Sequence, residues 1–235
     1  MFQFFVVFHK EIFDECYATI PQDVLDIYFT FFAVNRDIPK KYDTEKYKNV
    51  VKEWELTNYN ESMQKSGFNE NSALYHIYAN GLHTQYDYIG LFQYDMVFKE
   101  NCVERVKEKI VQGSSFLFSL PLHTFKFCTA QSWNDSKALQ HIVQQYETYY
   151  KRGFDKTTQY PLLNCYILPS PIFDKTMKWV TTLYPSVTSI ALRHRRYYHG
   201  YIGTVFERIM AFAIGHEGLT PVVIPVLHDH QFKQK

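Results

Sequence analysis

The run "YIGLFQYDMVF", residues 88–98, puts Asp95 directly behind an apolar stretch and directly before Met96, Val97 and Phe98. A bare buried carboxylate costs several kcal/mol, so Asp95 needs a compensating partner. A divalent cation, Mn²⁺ or Mg²⁺, held beside a diphosphate would supply one. Such ions take carboxylate oxygens and keep open positions for substrate oxygens and water. His228 and His230 of "LHDH" are the matching imidazoles. The plain alternatives are backbone N–H bonds or a lysine for Asp95, and a polar tail for the two histidines.

A second carboxylate, Glu207, lies in "GYIGTVFERIMAFAIG", residues 200–215, which has a helical pattern. Ala211 at i+4 and Ile214 at i+7 share its stripe, so Glu207 stands on an apolar face. Partial desolvation there suits a general base, and a structural salt bridge to a Lys or Arg of another segment is the competing reading. Arg208 is expected to point elsewhere, about 100° around the helix. The cationic, aromatic run "LRHRRYYHG", residues 192–200, reads as a loop able to donate from Arg195 or Arg196 to phosphate oxygens, or as a solvated surface segment.

These groups need a scaffold, and the pattern of elements describes one. Residues 2–8 and 27–34 are short apolar runs ending in "HK" and "NRDIPKKYD". Asn71 or Ser72 caps a helix that Gly81 ends, and the strand at 88–98 follows. A helix over 100–111, a strand at 116–120 and a helix over 137–150 come next. "LLNCYILP" is then a strand leading into a helix over 172–184, and "PVVIPVL" a last strand. Strands alternating with helices indicate an α/β domain with a mostly parallel sheet, in which ligands bind beyond the carboxyl ends of the strands. His9, Asn35 with Arg36, Gln93 to Asp95, Asn164 and His228 to His230 are the polar residues at such ends.

Composition narrows the function. Of 235 residues 46% are hydrophobic and the formal net charge is +1, so the chain is globular and no global field recruits nucleic acid or an anionic membrane. The expected partners therefore exclude nucleic acid. The 19 Tyr and 20 Phe reflect either a coding bias or rings lining a carbohydrate or nucleotide site. Four scattered cysteines without a CxxC pair read as reduced, buried thiols, and the N-terminal apolar run is too short for a membrane span; both suggest a cytoplasmic protein. GxGxxG after the first strand, GxxxxGK[ST] and GxSxG are missing.

The blocks "FVVFHK" (5–10), "ENSALYHIYAN" (70–80), "YIGLFQYDMVF" (88–98), "LNCYILPSPIFDKTMKW" (163–179) and "GTVFERIMAF" (203–212) resemble, in order, those of a family of GT-A-type capsular polysaccharide glycosyltransferases with an "IGLxHYRRYF" block. The chain is also similar to glycosyltransferases of large DNA viruses of algae, including a xylosyltransferase group, which would put it in a host cytoplasm. The resemblance implies one GT-A domain over 1–235, with 1–98 the nucleotide-sugar-binding half and 99–235 the acceptor-binding and catalytic half. It implies a hexosyl- or pentosyltransferase moving a sugar from a nucleotide sugar, a UDP-sugar by preference, to an oligosaccharide or glycoprotein glycan. Donor binding then falls to Phe8, His9, Asn35, Arg36, Asn71, Ser72, Tyr75, Gln93, Tyr94, Asp95 and Arg196. Asn164 contacts the donor sugar or acceptor, Glu207 is the base of an inverting transfer, and Asp95 with His228 or His230 holds the metal. GT-A enzymes in general carry Asp-x-Asp at this strand end and the capsular family His-Tyr-Arg; here it reads Gln93-Tyr94-Asp95, so of the usual pair only the last acid is kept.

Overall fold

The computed structural model describes residues 1–65, 67–111, 116–119, 121–130, 136–193, 201–224 and 226–228. The first half runs β1 (Phe2–Phe8), α1 (Gln22–Tyr28), β2 (Phe29–Ala33), β3 (Val50–Lys52), α2 (Glu61–Lys65), α3 (Glu70–Ala79), β4 (Tyr88–Gln93) and β5 (Met96–Phe98). The second half runs α4 (Cys102–Val111), β6 (Phe116–Ser119), β7 (His123–Thr124), α5 (Phe125–Ala130), α6 (Ser136–Tyr150) and β8 (Gln159–Tyr160). It ends with β9 (Tyr166–Pro169), α7 (Ser170–Arg193), α8 (Tyr201–Gly215), β10 (Thr220–Val223) and β11 (Val226–His228).

Seven strands form the main sheet in the order β10-β6-β9-β4-β1-β2-β3. All pairs are parallel except those of β9, which runs against both β4 and β6. The expected mostly parallel α/β sheet is therefore present. Every residue of β1 is buried, as a strand covered on both faces requires. Its side chains alternate: Phe5 and Val7 join the core beneath α3, α7 and α8, while Phe4, Val6 and Phe8 join a second core with Phe29, Phe31 and Phe98. The aromatic excess goes largely into these cores. Phe4 meets Phe29 edge-on at 4.9 Å and Phe92 at 5.4 Å, geometry that ring quadrupoles favour.

Several element boundaries differ from the sequence reading. The apolar run at 27–34 is divided between α1, entered from Pro21, and β2, which starts only at Phe29. "LLNCYILP" becomes a strand only at Tyr166, because Leu163 and Asn164 take left-handed φ angles of 66° and 48°. Helix α7 does not stop before Pro185; it runs on to Arg193, since Val187 continues the buried stripe of Phe173, Val180 and Leu183 and packing outweighs the lost N–H. "PVVIPVL" splits after Val223: β10 joins the main sheet, and β11, from Val226, pairs antiparallel with β5. Asn71 and Ser72 lie inside α3 rather than capping it, because Asn69 occupies that position. Gly81 follows α3 at φ 64°, and all four cysteines are buried and free, as expected. Among the described residues no helix is long and apolar enough to cross a membrane.

Gly90 lies mid-strand in β4, where an added Cβ would come within 2.6 Å of the Phe4 ring and 2.8 Å of the Phe92 ring. Overpacking of this kind costs about 1–3 kcal/mol, and each kcal/mol moves the melting point by about 2–4 °C in a chain of this size. Gly90→Ala should therefore melt several degrees lower in a thermal scan; an unchanged melting point would show that the rings yield freely.

Candidate functional site

Strand order reverses between β1 and β4, with β2 and β3 continuing on one side of β1 and the rest of the sheet on the other. In open parallel sheets such a switch point leaves a crevice beyond the carboxyl ends of the strands. A crevice of about 380 Å³ lies at this end. Strand β1 lines it with Val7 and His9, the end of β2 with Val34 and Asn35, and the end of β4 with Gln93 and Tyr94. Asn69 and Glu70, at the start of α3, close the remaining side.

The backbone around this crevice is strained. Asn35, Asn69, Leu163 and Asn164 all have positive φ, from 48° to 66°. Asparagine tolerates this region and leucine does not, so Leu163 must be held there. Gln93 Nε2 donates to Leu163 O at 2.8 Å. Asn164 is tied in turn: its Nδ2 faces Glu70 Oε1 at 3.2 Å and Asn71 Oδ1 at 3.4 Å, and its Oδ1 accepts from the Tyr166 hydroxyl at 3.3 Å. Asn71 Nδ2 reaches on to Gly203 O at 2.9 Å. The approach to β9, the start of α3 and the start of α8 are thus joined by one buried amide network. Strained residues cost about 1–3 kcal/mol each and persist where the surroundings over-determine them, commonly at functional sites.

Glu207 projects from the second turn of α8 and is 7% exposed. Here the sequence expectation for its neighbour fails. Arg208 does not point away; its guanidinium swings back to donate to Glu207 Oε1, while its Nε donates to Cys128 O at 3.0 Å. A long flexible side chain can bridge the 100° between consecutive residues, and a buried guanidinium must find an anion. Cys165 reports the wider arrangement. Burial pushes its thiol well above the ordinary range, and the Glu70, Asp95 and Glu207 carboxylates push in the same direction, so all three lie within electrostatic reach of one sulfur atom.

The crevice gathers His9, Asn35, Gln93 and Tyr94 from the expected set, with Asn164 bonded to its Glu70 wall and Glu207 within electrostatic reach of the neighbouring Cys165. Tyr94 packs edge-on against His9 at 4.9 Å. Other expected residues lie apart from it. The Phe8 side chain is wholly buried in the core. Arg36 is half exposed and faces Asp37 and Glu61. Ser72 is buried with its hydroxyl bonded to Glu53, and Tyr75 packs on Tyr184 and His76. Arg196 and His230 lie outside the described residues, as does the side chain of His228. Glu70 and Asn69 were missed by sequence reasoning, although an acidic residue in a helix's first turn was a visible signal. Glu53 carried no signal at all.

A metal shell is not assembled by the described residues. Asp95 is 0% exposed, and no group of three or more His, Cys, Asp and Glu side chains converges among the described residues. Backbone pairing does bring the chain's end to this place: His228 lies opposite Met96 in the β5–β11 ladder, one residue from Asp95.

Sheet order, the switch-point crevice and overall likeness define the fold as that of GT-A glycosyltransferases. The bifunctional glycosyltransferase WbbM, in its apo structure, aligns over 95% of this chain and 44% of its own, with a TM-score of 0.58 and 16% identity. This chain therefore spans less than half the length of that one. The galactosyltransferase LgtC in complex with donor and acceptor sugar analogs aligns over 94% of this chain and 73% of its own, with a TM-score of 0.42 and 10% identity. For the mannosyltransferase Ktr4p from S. cerevisiae the figures are 91%, 65%, 0.40 and 10%. No family model matches the chain, and no curated protein matches it in sequence.

Burial holds the His9 imidazole below its ordinary 6.5, helped by Lys40 and Lys10 and opposed by Asp95 and Glu11. Below that value the unfolded chain binds more protons at this site than the folded one, so stability is full above about 6.5 and falls as the pH drops through it. His9→Gln should flatten the decline of the urea midpoint between about pH 7 and 5.5. A slope equal to the wild type's would show that His9 contributes nothing to it.

Proposed function

We propose that the chain is a glycosyltransferase that moves a sugar from a nucleotide sugar to a hydroxyl of an oligosaccharide or glycoprotein glycan. The observation that carries this reading is the crevice at the switch point, where the ends of β1, β2 and β4 meet Glu70 of α3 and, through Glu70, Asn164. The nucleoside diphosphate lies against His9, Asn35 and Tyr94, with UDP the preferred carrier. Glu70 and Asn164 present polar groups to the sugar and the incoming hydroxyl. Glu207 takes the acceptor's proton as its oxygen bonds the anomeric carbon, the bond from that carbon to the phosphate oxygen breaks, and the nucleoside diphosphate leaves with inversion. Arg208 orients the Glu207 carboxylate and keeps a cation beside it. Mn²⁺ or Mg²⁺ enters this proposal only through Asp95 and the C-terminal histidines. Within it, residues 1–98 serve the donor and 99–235 the acceptor and the chemistry.

The Glu207–Arg208 pair also favours a second reading, in which the carboxylate is structural and the chain binds a nucleotide or carbohydrate without transfer.

Glu207→Gln separates the two. Loss of a general base lowers turnover by about 10²–10⁴-fold, and nucleotide binding should stay intact. A variant that transfers sugar at the wild-type rate removes Glu207 as base.

Thermal shift against a panel of nucleotide sugars tests the donor. A ligand at a hundred times its Kd adds about 2.7 kcal/mol, or roughly 5–10 °C here. Repeating the panel with and without Mn²⁺ on Asp95→Ala tests the metal: a cation effect that survives the substitution excludes Asp95 as its ligand.

A further inference from the structure

Glu53 plays no part in the chemistry proposed above, yet it is 0% exposed and carries a carboxylate. It sits in a short 3-10 turn, Glu53–Glu55, directly after the edge strand β3. One oxygen, Oε1, accepts the backbone N–H of Asn35 at 3.0 Å. The other, Oε2, accepts the Ser72 hydroxyl at 2.6 Å and faces His76 Nδ1 at 3.3 Å. Asn35 belongs to the wall built by the end of β2, and Ser72 and His76 belong to α3, whose first residues build the facing wall. A single buried carboxylate therefore spans the two walls of the crevice.

We infer that Glu53 is the positioning residue of the nucleotide crevice, holding the left-handed Asn35 loop and the start of α3 at the separation a nucleoside diphosphate requires. This inference rests on the reading of the crevice as the donor site. Asn35 is gripped from both sides. Its N–H is bound by Glu53, and its carbonyl accepts from Lys40 Nζ at 2.8 Å and from the Ile38 N–H at 3.0 Å. Burial lowers the pKa of Lys40, and the Glu53 charge opposes that fall, so the carboxylate also supports the ammonium that clamps the loop. The double grip fixes Asn35 at its φ of 61°.

The neighbouring donors explain why a carboxylate is used. His76 Nε2 accepts the Asn60 N–H at 2.9 Å, so the neutral ring carries its proton on Nδ1, aimed at Ser72 O at 2.7 Å and at Glu53. Glu53 is thus met by N–H or O–H groups at both oxygens. A glutamine offers one acceptor end and one donor end. With its oxygen at Asn35 it sets an NH₂ against the His76 proton, and reversed it sets that NH₂ against the Asn35 N–H, which cannot turn away. No orientation of an amide keeps every contact that the carboxylate makes.

Glu53→Gln is the test, read by UDP and GDP titration, by steady-state kinetics, and by hydrogen–deuterium exchange of peptides covering 34–41 and 67–73. Expected are a nucleoside diphosphate Kd and donor KM about tenfold higher with kcat within about twofold, since binding geometry changes and chemistry does not. Exchange should be faster at both walls, with strands β1 and β4 unchanged. Wild-type Kd and KM, or wild-type exchange at both walls, would overturn the inference. If the wild-type protein binds neither nucleotide, the reading of the crevice as a donor site falls, and exchange at the two walls still decides the role of Glu53. Should Glu53→Gln not fold, Ser72→Ala removes the shorter of the two α3 contacts, leaving that of His76, and does not touch the Asn35 arm. It should speed exchange in 67–73 and leave 34–41 as in the wild type; no change in 67–73 overturns the inference.

Discussion

Everything functional in this chain depends on β1 lying between β2 and β4 in parallel register, buried on both faces. A parallel strand covered on both sides cannot end in water gradually; its polar continuation appears abruptly where the cover stops. Three such strands end side by side, and because the strand order reverses at β1 their loops diverge and leave the crevice. The phenylalanines of the second core fix this register. Phe4, Phe29, Phe92 and Phe98 interlock edge to face, so a slip of one residue in β1, β2 or β4 would turn that strand's ring away from this cluster toward the opposite core.

The site is built against local preference and is held by buried polar groups. Asn35, Asn69, Leu163 and Asn164 all stand at positive φ, a region that asparagine tolerates and leucine does not. Around three of them stand specific partners: Glu53 and Lys40 at Asn35, Gln93 at Leu163, and Glu70, Asn71 and Tyr166 at Asn164. The consequence is a crevice whose walls are fixed by specific bonds, the kind of preorganisation that reduces the entropy lost on binding. Buried amides and carboxylates supply direction, which hydrophobic packing lacks.

Much of the scaffold was legible along the chain. The polar residues directly after apolar runs, His9, Asn35, Gln93 and Tyr94, do meet at one crevice, because a buried strand and its exposed end are written in consecutive residues. The α8 helix matches its apolar pattern closely. Boundaries were less readable where two forces compete in a few residues. Pro185 should have ended α7, and the buried stripe through Val187 carries it on. The run at 27–34 suits a strand by composition, and its first residues close α1. Arg208 was assigned by helical angle alone, which does not account for the reach of a guanidinium seeking an anion.

What the sequence determined by itself was the class of scaffold and the candidate strand ends, since hydrophobic periodicity and turn residues act between near neighbours. What only the tertiary structure decided was which of those groups face each other. The bonds that shape the site join Asn164 to Glu70, 94 residues apart, and Asn71 to Gly203, 132 apart. Glu53, a single acid in an ordinary charged stretch, became the link between two walls for the same reason. Folding places the termini of separate elements within hydrogen-bond distance, and a buried donor or acceptor must then find its partner wherever along the chain that partner lies.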